Sequence, residues 1–304
     1  MTKAARGAAA QPLDSSTTRA ANRALLAWYA ASARPLKIRE RSDPYSVLVS
    51  EVMAQQTQIS RVDQLATAFL ERFPTLEALA EAETADVLVA WKGLGYNRRA
   101  IALQRAAAAA VAAGGLPPAV DALMALPGIG PYTARAVAAI AFGGREIPVD
   151  VNIARIVNRL IGAQTPLSSR DVQARANEFG AELADGEAGA WAQAAMDLAS
   201  SICRPAAPRC DECPLQAQCA SAGKPFAKVP RDTAPRTPFT KTRRWLRGRL
   251  LDELREGGRE GVLVAGERGE HSEVAVAATI NKMVAEGLAE SLGGDRYRLP
   301  HRGD

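Results

Sequence analysis

The chain has 304 residues, of which 47% are hydrophobic and only 5% aromatic, and its formal net charge is +5. This length suits one large domain or two modest ones, and a hydrophobic fraction rich in alanine favours packed helices over sheets. No run of about 18 apolar residues and no secretory signal occurs, so a cytoplasmic, nucleoid-associated protein without a membrane span is expected. The two histidines, His271 and His301, lie near the C-terminus, which excludes a central Ser-His-Asp triad or histidine-based zinc site.

The first 18 residues are predicted to form a disordered, alanine-rich tail. Periodic apolar positions then predict a mainly helical domain over residues 19–223. Glycine and proline residues separate the predicted helices. These helices are expected at residues 19–32, 44–60, 61–72, 84–92, 97–113, 131–142, 151–162, 169–184 and 187–203.

Glu51 lies on a predicted helix in the segment S-E-V-M-A-Q-Q-T, residues 50–57, and its neighbours are apolar. No lysine or arginine stands three or four positions away to pair with it. Burial without a partner would raise the pKa of Glu51 and keep it protonated near neutrality, as a general acid requires. The alternative is a core glutamate that is hydrogen-bonded to a helix N-terminus.

A turn between two helical segments has the sequence L-P-G-I-G-P-Y-T-A at residues 126–134. Gly128 and Gly130 allow positive φ and close backbone approach, and Pro131 suits the first turn of the next helix. Free N–H groups at that helix start can bind a phosphate without reading sequence. An ordinary helix–helix turn is the alternative.

Asp150 immediately precedes a predicted helix in the segment P-V-D-V-N-I-A-R, residues 148–155. It is expected to cap that helix, whose dipole favours an ionised carboxylate at this position. An ionised carboxylate can stabilise the oxocarbenium-like sugar that forms when a glycosidic bond breaks. Glu51 and Asp150 are therefore a candidate pair for glycoside chemistry.

All four cysteines fall within 17 residues, with the spacing C-x6-C-x2-C-x5-C; they are Cys203, Cys210, Cys213 and Cys219. Disulfides are not expected in a chain without an export signal. Four thiolates on a short loop suit either zinc or a [4Fe–4S] cluster, and the spacing alone does not decide between them. Arg204 and Arg209 on this loop can approach phosphates.

The composition changes after the cysteine loop. Residues 224–242 are rich in proline, lysine, arginine and threonine, which predicts a basic linker. Residues 243–304 are predicted to form a small winged-helix-like domain: a basic amphipathic helix, a second helix near 272–286, and a strand pair. The two strands are expected at residues 288–291 and 296–299.

The segment at 50–57, the hairpin at 126–134 and the cysteine spacing together resemble the adenine DNA glycosylase (MutY) family, within the helix-hairpin-helix or endonuclease III superfamily. The resemblance covers about residues 20–225. It implies a mainly α, two-lobed helix-hairpin-helix glycosylase with its active site in the cleft between lobes. It further implies that the cysteine loop holds a [4Fe–4S] cluster with a structural role.

The resemblance implies a role for each catalytic candidate. The family's residue that matches Glu51 protonates the leaving adenine, and the residue that matches Asp150 stabilises the sugar cation. Tyr132 stands where endonuclease III has the lysine that forms a Schiff base and cleaves the strand, so no lyase activity is expected. The implied reaction is excision of adenine mispaired with 8-oxoguanine or guanine, in base excision repair.

DNA contacts are implied in the same way. Tyr96, in the segment G-L-G-Y-N-R-R-A at residues 93–100, matches a tyrosine that wedges into the base stack, although a core tyrosine is the alternative. Gln56 is implied to intercalate or face the orphan base, Asp197 to contact the flipped adenine, and Arg39 to line the pocket. The implied partner is double-stranded DNA with mismatched or oxidised bases, bound by a monomer.

The chain departs from the family pattern in three places. Residues 36–39 are L-K-I-R where the family typically has L-P-W-R, and Val151 follows Asp150 where the family often has glycine. The C-terminal region is too short for the Nudix-like domain that most members carry. Two alternatives stay open: a thymine or uracil mismatch glycosylase of the same fold, and a non-catalytic DNA-binding protein.

Overall fold

Helices make up most of the computed structural model, which describes residues 13–224 and 237–301. The described chain divides into two compact units. The first contains the residues up to Glu51, Pro117–Ala125, and the segment from Ile129 through the cysteine loop. The second contains Val52–Leu116, Leu126–Gly128 and the described C-terminal region. None of the described helices is both long and apolar enough to cross a membrane.

The first unit is built around one central helix, α11, which packs against α1, α8 and α9. Its buried core includes Trp191 and Phe179, and the Trp191 indole donates to the buried Asn22 side chain at 2.8 Å. Asn22 in turn donates to the Phe179 carbonyl, so this buried polar pair is satisfied. The helices of this unit are α1 Ser15–Ser32, α2 Pro44–Ala54 (which runs into the second unit), α7 Val120–Met124, α8 Pro131–Ala141, α9 Val151–Leu160, α10 Ser169–Ala181 and α11 Glu187–Ser201.

The start of α1 differs from the sequence prediction. The helix begins at Ser15 because the Asp14 side chain accepts hydrogen bonds from the backbone N–H groups of Ser16 and Thr17. The last four residues of the predicted tail are therefore helical. Residues 1–12 of that tail, and residues 225–236 of the predicted linker, lie outside the described residues.

The second unit contains a four-helix part and the C-terminal region. Helix α6 packs against α4 and α5, and the aromatic core there includes Trp91 and Phe69. Two short helices of the chain, α4 and α7, were not predicted, because six and five residues carry too little periodicity. The helices of the four-helix part are α3 Ile59–Arg72, α4 Leu76–Glu81, α5 Thr84–Ala90 and α6 Arg98–Ala112.

The C-terminal region has the order of elements expected of a winged helix. Helix α12 (Arg243–Gly257) packs against α13 (Glu273–Ala285) through buried leucines of α12. The predicted strand pair is present as β2 (Glu290–Gly293) and β3 (Arg296–Arg298). A short strand that was not predicted, β1 (Val262–Leu263), adds to β3 and completes an antiparallel sheet of order β1-β3-β2.

Candidate active site

The Glu51 carboxyl group lies in a cluster of polar side chains within the first unit. Glu51 comes from α2, Tyr132 from the first turn of α8, and Asp150 from the residue that caps α9. Burial raises the pKa of Glu51 to about 7, even though a hydrogen bond from Tyr132 and the charge of Arg39 act to lower it. The charge of Asp150 adds to the increase. The raised pKa agrees with the sequence prediction and leaves the carboxyl group about half protonated at neutral pH.

Tyr132 is a hydrogen-bond donor to this acid. The charge of Glu51, together with burial, raises the pKa of the Tyr132 phenol well above its ordinary value. The phenol therefore stays protonated and donates a hydrogen bond to the Glu51 carboxyl group. This hydrogen bond orients the Glu51 side chain.

Asp150 caps the N-terminus of α9, as the sequence predicted. Its carboxylate accepts the backbone N–H groups of Asn152 at 2.9 Å and Ile153 at 2.8 Å. The Asn152 side chain donates to the second carboxylate oxygen at 2.7 Å. Val151, which replaces the usual glycine, is 80% exposed and leaves this cap intact.

A chain of hydrogen bonds leads from Asp150 to the cysteine loop. The Asn152 side chain accepts from Arg155 at 3.1 Å, and Arg155 also donates to the carbonyl of Cys203 at 3.0 Å. The neighbouring Arg159 donates to the Cys203 sulfur at 3.2 Å and to the Arg204 carbonyl at 2.8 Å. Helix α9 therefore carries the Asp150 cap at one end and holds the cysteine loop along its length.

Asp197 forms ion pairs with two arginines. Its carboxylate is almost fully buried and accepts both terminal nitrogens of Arg39, at 2.8 and 2.9 Å, as well as the Arg34 side chain at 2.6 Å. Burial opposes its ionisation, but the hydrogen bonds from Arg39 and Arg34 lower the pKa of Asp197 overall. These contacts hold Arg39 in position, and the contact of Asp197 with a flipped adenine stays a prediction.

Arg39 links Asp197 to Glu51. Its guanidinium lies 5.5 Å from the centre of the Tyr29 ring, and its charge acts on Glu51. The arginine of the altered L-K-I-R segment thus keeps a defined position although the proline and tryptophan are missing. Arg34 was not predicted, because its partner Asp197 is 163 positions away in the sequence.

Gln56 and Tyr96 occupy strained turns in the second unit. Of the described non-glycine residues only three have positive φ, and these two, at 56° and 46°, are among them. Such conformations cost about 1–3 kcal/mol each and are concentrated at functional sites. Tyr96 is 45% exposed, so it is not the core tyrosine of the alternative interpretation. The prediction of a helix through residue 60 is wrong, since α2 ends at Ala54 and Gln56 lies in the following turn.

Arg99 holds both strained turns in place, and sequence reasoning did not assign it a role. One terminal nitrogen donates to the carbonyls of Val52, Met53 and Gln55 at 2.6–2.9 Å. The other donates to the carbonyls of Leu94 and Gly95 at 3.0 and 3.1 Å. Arg99 therefore caps the end of α2 and fixes the turn that carries Tyr96.

The glycines of the hairpin have unequal roles. Gly128 has a φ of 76°, and a Cβ atom there would lie 2.6 Å from the Cβ of Ala102, so both conformation and space require glycine. Gly130, by contrast, is the extended N-cap of α8 with a φ of −90°, which corrects the expectation of positive φ. No atom lies within 4 Å of the position that a Cβ would take on Gly130, and Pro131 occupies the first turn of α8.

The four predicted metal ligands line one cavity together with Arg159. All four are free thiols: Cys203, Cys210, Cys213 and Cys219. Within the described residues, no three cysteine, histidine or acidic side chains are placed to hold one metal ion. The four sulfurs nevertheless border one common cavity.

Solved structures with a similar fold cover most of the described chain. A thermostable thymine-DNA glycosylase aligns with a TM-score of 0.62 and 24% identity, over 68% of this chain and 97% of that one. An endonuclease III–DNA complex aligns with a TM-score of 0.58 and 22% identity, over 69% of this chain and 97% of that one. At these identities the likeness shows a common fold.

Residues 49–182 match the HhH-GPD superfamily of base excision DNA repair proteins, which is the class that the fold and the hairpin define. The adenine DNA glycosylase of Mycolicibacterium smegmatis is 40% identical over 238 residues, which cover 76% of this chain and 79% of the relative. The enzyme of Mycobacterium tuberculosis is 41% identical over 76% of this chain and 77% of its own length. The human enzyme is 38% identical over 64% of this chain and 38% of its own length. The chain belongs to the adenine DNA glycosylase family.

Proposed function

We propose that this protein excises adenine mispaired with 8-oxoguanine or guanine from double-stranded DNA, as a monomer acting in base excision repair. The observation that carries the proposal is the partly buried Glu51, whose pKa is raised to about 7 by desolvation. Its carboxyl group accepts a hydrogen bond from Tyr132 and is affected by the charge of Asp150. Relatives named adenine DNA glycosylase, at 38–41% identity, support the choice of base.

The proposed step follows from the two carboxyl groups. Glu51 gives its proton to a ring nitrogen of the flipped adenine, so the electron pair of the breaking N-glycosidic bond leaves with a neutral base. Asp150, whose charge is held by three N–H donors, stabilises the sugar cation. A water molecule then adds to the sugar carbon and gives its extra proton to the Glu51 carboxylate, which restores the acid. The products are free adenine and an abasic site in an intact strand.

The enzyme is proposed to be monofunctional because Tyr132 stands where a Schiff-base lysine would act. The phenol donates to Glu51 and offers no amine that could attack the sugar. Borohydride should therefore trap no covalent complex between wild-type protein and DNA, whereas Tyr132→Lys should yield a trapped fraction. Efficient trapping by the wild-type protein would contradict this assignment.

The four cysteines are proposed to bind a [4Fe–4S] cluster. The shared cavity fits a group with four metal corners, and Arg159 donates to the Cys203 sulfur, which suits an anionic ligand. Such a cluster would supply structural cross-linking of the loop. Protein purified anaerobically should contain about four iron atoms per chain and absorb broadly near 400 nm, on the order seen for thiolate-bound clusters. Zinc without iron would refute it.

Base specificity is tested with a panel of duplexes that carry adenine, thymine or uracil opposite guanine or 8-oxoguanine. Alkali treatment after the reaction reveals abasic sites, and untreated samples report strand cleavage. We expect alkali-dependent cleavage at adenine only. Activity confined to thymine or uracil opposite guanine would establish the alternative glycosylase, and no activity on any duplex would support a non-catalytic DNA-binding protein.

A further inference from the structure

The Tyr96 turn and the start of α12 line one groove, which is strongly basic and lies entirely within the second unit. Eight basic side chains and one carboxylate, Asp252, line it, and Gln56, Tyr96 and Gly128 border the same space. We call it the α12 groove. Its basic residues are Arg61, Lys92, Arg98, Arg99, Arg243, Arg244, Arg247 and Arg255.

Three of these cations are already engaged within the protein. Arg99 donates to backbone carbonyls, Arg247 pairs with Glu286 at 2.5 Å, and Arg255 pairs with Asp252 at 2.8 Å. The other five form no ion pair with any described residue, and all five are exposed. An exposed, unpaired cluster of this kind attracts a polyanion. Its members are Arg61, Lys92, Arg98, Arg243 and Arg244.

Helix α12 is fixed against the Tyr96 turn by Arg255. The Arg255 side chain is only 9% exposed, and it donates to the Leu88 carbonyl at 2.9 Å and the Asn97 side chain at 3.3 Å. At the other end of α12, the Arg244 guanidinium lies 5.0 Å from the centre of the Tyr96 ring. The C-terminal region therefore places the exposed Arg244 beside Tyr96, the tyrosine that is expected to wedge into the base stack.

A second cavity continues the basic surface along the C-terminal region. Arg243 and Arg247 border it as well as the α12 groove. Lys282 adds a further positive charge, and Lys241, which pairs with Glu270 at 2.9 Å, also lines it. No carboxylate lines this second cavity. The positive surface thus runs from the Tyr96 turn to α13, a pattern that follows a phosphate backbone rather than a single small anion.

We propose that α12 is a second DNA-binding element, in which Arg243 and Arg244 contact backbone phosphates next to the Tyr96 wedge. This inference rests on the proposed action on DNA. The contacts add affinity that does not depend on sequence or on the opposite base. Arg244, which also stacks on Tyr96, ties this phosphate contact to the orientation of the wedge.

The test is the salt dependence of binding by the full chain to an undamaged duplex, measured by fluorescence anisotropy. Each phosphate contact contributes about −0.9 to the slope of log K against log salt. Arg243→Gln/Arg244→Gln should flatten the slope by about 1.8 and weaken binding about tenfold near physiological salt. Arg244→Lys keeps the charge and should retain the wild-type slope.

The matched control is Arg249→Gln, which removes one exposed arginine from the same helix outside the groove. Its slope should equal that of the wild type. A wild-type slope in the double variant, or an equal loss in Arg249→Gln, would overturn the proposal. Since undamaged DNA requires no catalysis, a failure of adenine excision in the duplex panel would leave this result interpretable, and the two claims fail separately.

Discussion

The Glu51 cluster and the Tyr96 turn show two different ways of preparing a protein for one reaction. In the cluster, buried charges are satisfied by neighbours, and the energetic cost appears as a pKa of about 7 for Glu51. In the turn the side chains are exposed, and the cost appears in the backbone as positive φ at Gln56 and Tyr96. The proposed chemistry depends on desolvation of Glu51, and the proposed wedging of Tyr96 into DNA depends on a rigidly held turn.

This contrast explains why each region has one dedicated arginine. Arg39, held by Asp197, adjusts the electrostatics of the acid, whereas Arg99 forms hydrogen bonds to five carbonyls and adjusts only the backbone. Changes in the first region should therefore alter rate and pH dependence. Changes in the second should alter stability and binding.

The largest expected effect is the loss of catalysis in Glu51→Gln. Removing the proton donor should slow single-turnover excision of adenine by on the order of 10²-fold or more, while DNA affinity stays near that of the wild type. The control is Glu71→Gln, an exposed glutamate of α3, which should leave the rate unchanged. A wild-type rate in Glu51→Gln would show that another group is the acid.

Arg99→Gln should have the next largest effect, and on stability rather than on chemistry. Its loss leaves several buried or half-buried carbonyls without a donor, so the free energy of unfolding should fall by about 3 kcal/mol. Urea denaturation measures this change. Arg72→Gln, which breaks an exposed ion pair with Asp86, should cost less than about 1 kcal/mol. An equal loss of unfolding free energy in both variants would show that Arg99 does not stabilise these turns.

The two hairpin glycines provide a smaller and sharper comparison. Gly128→Ala forces positive φ on alanine and a 2.6 Å contact with Ala102, so it should destabilise the protein by about 2 kcal/mol. Gly130→Ala replaces an extended residue with open space around it and should cost less than about 1 kcal/mol. Thermal melts of the two variants measure this difference. A lower melting temperature for Gly130→Ala than for Gly128→Ala would contradict the prediction.

Local signals in the sequence were sufficient for part of this site. The Asp150 cap depends on residues two and three positions away, and the cysteine loop on a spacing within one segment, so both were predictable. The direction of the Glu51 pKa shift was predicted from its apolar neighbours. The helices of the main domain were found mostly to within a few residues, because their apolar periodicity is long.

Contacts between distant segments account for what the sequence could not indicate. The Arg34–Asp197 pair joins positions far apart, and Arg99 ends α2 from more than forty residues away. For that reason the predicted helix through residue 60 was too long, and the ion pairs of Asp197 were not predicted. The short strand β1 exists only because β3 pairs with it.

The central claim is that Glu51 acts as a proton donor with a raised pKa, and the pH profile of excision tests it most directly. The single-turnover rate of the wild-type protein on an adenine-containing mismatch should be measured from pH 5 to 9. Because the protonated form is the active one, the rate should be steady on the acid side. It should fall above the pKa of about 7, approaching tenfold per pH unit. A rate that is flat through this range, or that rises with pH, would contradict the account.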